Sequence, residues 1–489
     1  MKIPILLFLG ALLVRLIILI LWPFDGLYGQ DAYDYYNYAV SVRAGLAQGQ
    51  VFPPFFWPVG YPLHVAAASW MVGVQPLAGQ IVSVIAGALI APLTFALARE
   101  AWLPVNPQRA RRAGVIAGLI VAMAGQLMIS SLSIMSDAIG LAWATASAWL
   151  TLRYARTLRP ATLLLASVTL SVAVITRWVF GLLALPWVTC VVLAWRRAWP
   201  SIGLRRAFLL SVMTVAAGGV LVGTQLLSGD SHTGDLQVVG WDPTNAFRSE
   251  VVNTDGTFRY ALPIGLFYLQ PLVVPSYLFP LLVPVWLVGL WSLGQPLAPV
   301  RALLIGWPLI GYIFLAGIAW QNPRFALAFF PPLAVWAGLG FDHAWEGRPG
   351  LRKGLLGLTV VALSGSLIWS GRVVNNFVQV KNVDLARTQR VVDQLPAGAR
   401  VVTFGLTLTL HHYTDFDVIE IYNETPASLL DRVCGPDAVY VYVDVANLEQ
   451  QWRGLSPQIN YHWLRDERGL ELIDQFNGYT LFKVRSDCK

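Results

Sequence analysis

Residues 59–76 read VGYPLHVAAASWMVGVQP, and the topology of the whole chain turns on whether this piece crosses a membrane. It is apolar but short and bounded by proline. A helical span needs about 20 apolar residues. Residues 59–76 therefore read as a helix lying at the interface, or re-entrant. Spans are expected near 3–22, 77–98, 113–130, 136–152, 161–176, 179–195, 207–227, 272–293, 302–319, 325–341 and 354–371, about 11 in all by the same length criterion.

The arginines support leaving 59–76 out. With the N-terminus in the cytoplasm, the inner loops carry Arg99, Arg109, Arg111 and Arg112, then Arg153, Arg156 and Arg159, then Arg196, Arg197, Arg205 and Arg206. Arg301, Arg348, Arg352 and Lys353 complete that side. The outer loops hold only scattered arginines: Arg43, Arg177, Arg248, Arg259 and Arg324. Positive charge belongs on the cytoplasmic side. A span at 59–76 would invert every later loop and put the clusters outside.

Composition agrees with a membrane protein. Of 489 residues, 56% are hydrophobic and 12% charged, and the mean hydropathy is +0.58. Soluble domains are less apolar, and no series of short alternating segments suggests a barrel. The net charge of +7 follows from the inner loops, so no nucleic-acid partner is expected. The first span, MKIPILLFLGALLVRLIILILW, exceeds a signal-peptide core and reads as retained. Arg15 within it should face protein or water. The expected location is the bacterial inner (plasma) membrane.

The division expected is a membrane domain, 1–371, and a polar tail, 372–489, outside the membrane. The membrane domain carries a first outer loop at 23–76 and a large one at 228–271. In the tail, ARVVTFG, DVIEIY, DAVYVYVDV and YTLFKV look like strands, and TPASLLDRV and NLEQQWRGL like helices. This is a small α/β domain. A Cys434–Cys488 bridge is open if the tail meets an oxidising compartment.

Polar residues gather at the outer face. Asp31 and Asp34 lie in DAYDYYNYAVSVRAGLAQG, Asp137 in SIMSDAIGL, Arg177 in VITRWVFGLL and Arg324 in AWQNPRFALAFFPPL. The large loop adds Arg248 and Arg259, with Asp230, Asp235, Asp242, Glu250 and Asp255. Ionisable groups at membrane edges are functional candidates, although snorkelling or pairing is the plainer reading for any one arginine. The tyrosines suit an aromatic belt, which does not require the acids. One acid would serve as general base toward a hydroxyl, or as a metal ligand. Arginines suit phosphate.

These stretches, in this order, resemble the GT-C glycosyltransferases, in the branch using polyprenyl-phosphate sugars that includes protein O-mannosyltransferases and the lipid A aminoarabinose transferase. The acidic motif is GQDAYDYYNYA. WPVGYPL and GQIVSVIAGALIAPLTFALARE follow, then SIMSDAIGLAWATASAWL, ITRWVFGLLALP and NPRFALAFFPPLAVWAGLG. The resemblance implies transfer of a sugar from a polyprenyl-phosphate donor to a lipid, glycan or protein acceptor, with inversion. It implies Asp31 as base, with Asp34 and Asp137 as companion acids. It implies Arg177 and Arg324, with Arg259, at the donor phosphate. Tyr33, Tyr36, Tyr61 and His64 are the first-loop substrate candidates.

The pattern departs at Asp31-Ala32, where many members have Asp-Glu, and at Asp137, where Glu is commoner. The resemblance implies no obligatory metal; an Asp31–Asp34 metal pair is the minority alternative. His411 and His412 lack a third ligand at metal-site spacing. No glycine-rich phosphate loop supports a nucleotide-sugar. The rivals are a non-catalytic scaffold of the same fold and a transporter, although the repeats of a transporter are not seen.

Overall fold

The computed structural model describes residues 2–50, 53–202, 219, 240–294, 297–347, 350–434 and 438–485. The expected span at 207–227, apart from residue 219, lies outside them, as do Asp230, Asp235, Arg205, Arg206, Arg348 and Cys488. Two compact units share the chain. One is Met1–Gly26, Tyr35–Ala246 and Ile264–Asn375; the other is Leu27–Asp34, Phe247–Pro263 and Asn376–Lys489.

The first unit is helical. Its helices are α1 (Lys2–Leu21), most of α2 (Gly29–Gln48), α3 (Gly60–Val72), α4 (Leu77–Trp102), α5 (Pro107–Met123), α6 (Gly125–Leu132), α7 (Ser136–Thr157), α8 (Pro160–Thr176) and α9 (Ala184–Ile202). They continue with α10 (Val283–Ser292), α11 (Ala298–Gly317), α12 (Phe330–Glu346) and the start of α13 (Leu351–Val392). Helix α3 has 13 residues, about 20 Å, which is too short for a bilayer core. Arg15 is buried, and its Nη1 donates to the Ala11 carbonyl at 2.9 Å.

Among the described residues, six helices are long and apolar enough to cross a membrane, or seven if the bent pair α5–α6 is one span. Eleven spans are therefore not established. The expected span at 113–130 breaks at Ala124, with a bend of 58°. A break in a membrane helix frees backbone groups that need partners. Here Ser366 and Ser370 of α13 both donate to the Met123 carbonyl, at 3.0 and 2.6 Å, and the Gln126 amide donates to the Ser276 carbonyl at 2.9 Å. The expected span at 272–293 is also broken. It consists of a single turn at Gln270–Val273, a 3-10 turn at Pro280–Leu282 and α10, because Pro271, Pro275 and Pro280 interrupt the ladder. The helix expected to end at 371 instead runs to Val392, with Val374, Val378, Lys381, Thr388 and Val391 buried at helical spacing.

The second unit is built on a five-stranded sheet of β3 (Arg400–Thr403), β4 (Asp417–Glu420), β5 (Val439–Val443), β6 (Leu470–Phe476) and β7 (Tyr479–Val484), in the order β4-β3-β5-β7-β6. Strands β4, β3 and β5 are parallel; β7 pairs antiparallel with β5 and β6. Val402, Val441, Val443, Leu429, Leu448 and Leu464 form its main core. Ahead of it in the chain, β1 (Glu250–Asn253) and β2 (Gly256–Arg259) make a hairpin. This hairpin belongs to the same unit, and its Thr257 amide donates to the Gln451 carbonyl at 2.8 Å. Cys434 is disulfide-bonded and Cys190 is free.

Helices α10 and α12 touch backbone to backbone. A Cβ at Gly289 would collide with the Trp336 carbonyl oxygen, and one at Gly340 with that of Val285. Small residues permit such approach where lipid supplies little drive for association. Gly340→Ala should cost about 1–3 kcal/mol through overpacking. Gly354→Ala, exposed in α13 where a Cβ meets nothing within 4 Å, should not lower stability, since alanine favours the helix. Thermal unfolding of both variants in detergent checks this, and equal midpoints would contradict it.

Candidate active site

In the first unit the site forms where α7 begins and α8 ends. Asp137 is the second residue of α7, where the helix dipole favours a negative charge. It is 3% exposed, and its Oδ1 meets Arg177 Nη1 at 3.1 Å. Its Oδ2 is buried with no hydrogen-bond partner among the described residues. Arg177 ends α8 in extended backbone and leads into the 3-10 turn Trp178–Leu183. Its Nη1 also lies 3.3 Å from Ser136 Oγ. Gly140 lets it approach: a Cβ there would sit 2.7 Å from the Phe180 ring and 3.3 Å from Arg177 Cβ.

Arg324 enters the same neighbourhood from a second 3-10 segment, Pro323–Phe329, started by Asn322, whose side chain accepts from the Arg324 amide at 3.1 Å. Its Nη1 reaches Met135 Sδ at 3.3 Å. The guanidinium carbons of Arg177 and Arg324 lie 5.6 and 5.5 Å from the centre of one ring, that of Phe325. Both guanidinium groups thus lie near one aromatic ring, with a buried carboxylate paired to Arg177. Tyr35, the residue after Asp34, pairs its hydroxyl with Ser136 Oγ at 3.2 Å. Tyr61 packs edge-on against Tyr35 at 5.3 Å, donates to the Gly79 carbonyl and is buried. Tyr36 is buried on α2. His64 places Nδ1 2.6 Å from the Gly60 carbonyl in its own helix.

The second unit holds the acids of the first outer loop. Asp31 lies one turn before Asp34 at the start of α2, and both are half-buried. Burial raises the Asp34 carboxyl to about 6, and the Asp31 charge adds to the rise. Gln30 fixes this turn, donating to the Gly405 carbonyl at 2.7 Å and accepting from the Leu408 amide at 3.1 Å. Between the acids, Tyr33 is buried, and its hydroxyl accepts from Lys381 Nζ at 2.5 Å. Lys381 also donates to the Tyr413 hydroxyl at 3.1 Å and stands 5.0 and 4.7 Å from the two tyrosine ring centres. His412 packs on Tyr33 at 5.6 Å between ring centres, while His411 is exposed. Arg259 stands on β2, 81% exposed, 3.3 Å from Glu250 across the hairpin.

Sequence reasoning missed Ser136, Phe325, Lys381 and Tyr413. Ser136 and Phe325 each adjoin a singled-out charge. Lys381 left a weak signal: a single lysine on a face otherwise set by Val374, Val378 and Val391. Among the described residues no three His, Cys, Asp or Glu gather as a metal-binding group.

The family model described as dolichyl-phosphate-mannose-protein mannosyltransferase matches residues 56–221. No curated protein matches the chain. Among solved structures, the chain superposes on ArnT from Cupriavidus metallidurans bound to undecaprenyl phosphate, with a TM-score of 0.65 and 12% identity, over 98% of this chain and 97% of that one. The archaeal oligosaccharyltransferase AglB from Archaeoglobus fulgidus, in complex with an inhibitory peptide and a dolichol-phosphate, matches with a TM-score of 0.59 and 12% identity, over 91% of this chain and 70% of that one. The chain shares the fold of these two proteins. Asp137 and Arg177 fall inside the family-model match and Arg324 outside it.

Breaking a buried ion pair from one side strands a charge, at a cost of about 3–5 kcal/mol. Arg177→Ala should therefore destabilise the protein more than Arg177→Ala combined with Asp137→Asn. Denaturant melts of the two variants test this, and equal or reversed losses would contradict it.

Proposed function

We propose that the chain moves a sugar from a polyprenyl-phosphate donor to an acceptor hydroxyl at the extracytoplasmic face, by one inverting displacement. The observation carrying this is the pair of arginines on Phe325, a fitting seat for a phosphate that gains charge as it leaves. The relatives solved with undecaprenyl phosphate and with dolichol-phosphate support a lipid-phosphate donor.

In this reading the Asp31 carboxylate accepts the acceptor hydroxyl's proton as the oxygen attacks the anomeric carbon. The bond from that carbon to the phosphate oxygen breaks, and its electron pair leaves with polyprenyl monophosphate. Arg177 and Arg324 neutralise the added charge. Asp137 orients Arg177. Arg259 is given only an outer, solvent-screened contact with the donor. Lys381 acts as a positioning residue, holding Tyr33 and with it the turn that carries both acids. No step passes through a metal.

The test is transfer of radiolabelled sugar from a panel of polyprenyl-phosphate sugars, with chelator present throughout. Wild type should transfer, and Asp31→Asn should lose on the order of 100-fold or more while still binding donor. Equal transfer by both would reject Asp31 as base. The pH profile adds a second readout. Asp34 is protonated below its value of about 6 and ionised above it. If its negative charge assists the base, the wild-type rate rises through that region as pH increases. Asp34→Asn should remove that limb, and an unchanged limb would exclude Asp34 from the reaction.

A further inference from the structure

The proposed transfer makes no use of the arginine-rich end of the first unit, where α4 turns into α5. A groove of about 480 Å3 lies there, walled by α1, α5 and α12. Its polar part is Gln108, Arg111 and Arg112; its apolar part is Ile3, Val115, Ile116 and Phe341. Ile116 and Phe341 are buried, whereas Gln108 and Arg111 are exposed.

The charges around the groove are unevenly matched. Asp342 is fully buried and meets Arg109 Nε at 2.6 Å and Arg112 Nε at 2.9 Å. Arg112 pairs with Glu346 as well. Arg109 also lies 5.3 Å over the Trp102 ring. These groups hold α5 to α12 and largely cancel. Arg111 is different: it makes no ion pair with a described residue. Lys2, beside Ile3 in the chain, is also exposed. A surplus of positive charge therefore sits directly above an apolar slot. A free anion has no use for the slot, and a neutral lipid has none for Arg111. Basic pockets between membrane helices take anionic headgroups.

We propose that this groove binds an anionic phospholipid. The phosphate sits against Arg111, Gln108 and the outward nitrogen of Arg112, and one acyl chain runs along Ile3, Val115, Ile116 and Phe341. The arginine pattern of the loops puts this lipid in the cytoplasmic leaflet, away from the residues assigned to sugar transfer.

Native mass spectrometry of the detergent-purified full chain tests it, with phosphatidylglycerol, phosphatidylcholine and inorganic phosphate as probes. Wild type should retain phosphatidylglycerol about fivefold better than phosphatidylcholine, the effect of one arginine near an anionic headgroup. Arg111→Ala with Gln108→Ala should abolish that preference. Val115→Trp, which fills the slot but keeps the charges, should reduce retention of both lipids. Arg301→Ala, a basic residue outside the groove, should change nothing. Equal retention of the two lipids by wild type would overturn the proposal, as would full phosphatidylglycerol retention in the Arg111 or Val115 variants. Displacement of the lipid by inorganic phosphate would also overturn it, since the groove would then serve a free anion. The wild-type comparison and the phosphate competition decide the matter even if a variant fails to fold.

Discussion

A carboxylate buried among membrane helices is costly unless the protein gives it a partner. Asp137 and Arg177 satisfy that constraint at 3.1 Å, and much of the local structure follows from it. Helix α7 has to start at Ser136 to put the acid on its first turn. Helix α8 has to stop at Thr176 so that Arg177 can turn inward. Gly140 has to lack a side chain so that Arg177 and Phe180 can close on α7. The Asp137 oxygen left without a hydrogen-bond partner among the described residues keeps this region polar and incompletely satisfied. Such places are where function and stability conflict.

The same logic explains why the helices break where they do. Both site arginines stand at 3-10 turns rather than inside regular helix. Irregular backbone at membrane depth survives only where protein buries and pairs it. Two serines of α13 do this for Met123, and the Tyr268 hydroxyl does it for the Trp320 carbonyl at 2.8 Å. In return, the broken ends place Arg177 and Arg324 where both reach the Phe325 ring.

Features that depend on charge and turn chemistry were legible in the sequence. The arginine clusters excluded residues 59–76 as a span, and α3 is indeed a 13-residue helix. Four tail strands were visible from their β-branched runs, and β3, β4, β5 and β7 form there. Strand β6 was not, because LELIDQF buries neither face well and so alternates weakly. The end of α13 was misplaced because residues 372–392 are polar along most of their circumference, and only a narrow apolar stripe holds them helical. Asp137, Arg177 and Arg324 could be read as candidates because charge is rare in such segments. The Phe325 ring that two of them share, and the seating of Lys381 on Tyr33 and Tyr413, depend on packing between distant segments, which one sequence does not display.

The central claim is a single displacement at the anomeric carbon, with lipid monophosphate leaving toward paired arginines. Determining the anomeric configuration of the product by NMR, together with the identity of the released lipid, tests it most directly. The account predicts a product of opposite configuration to the donor and one equivalent of polyprenyl monophosphate. Retained configuration, or turnover without release of that lipid, would contradict it.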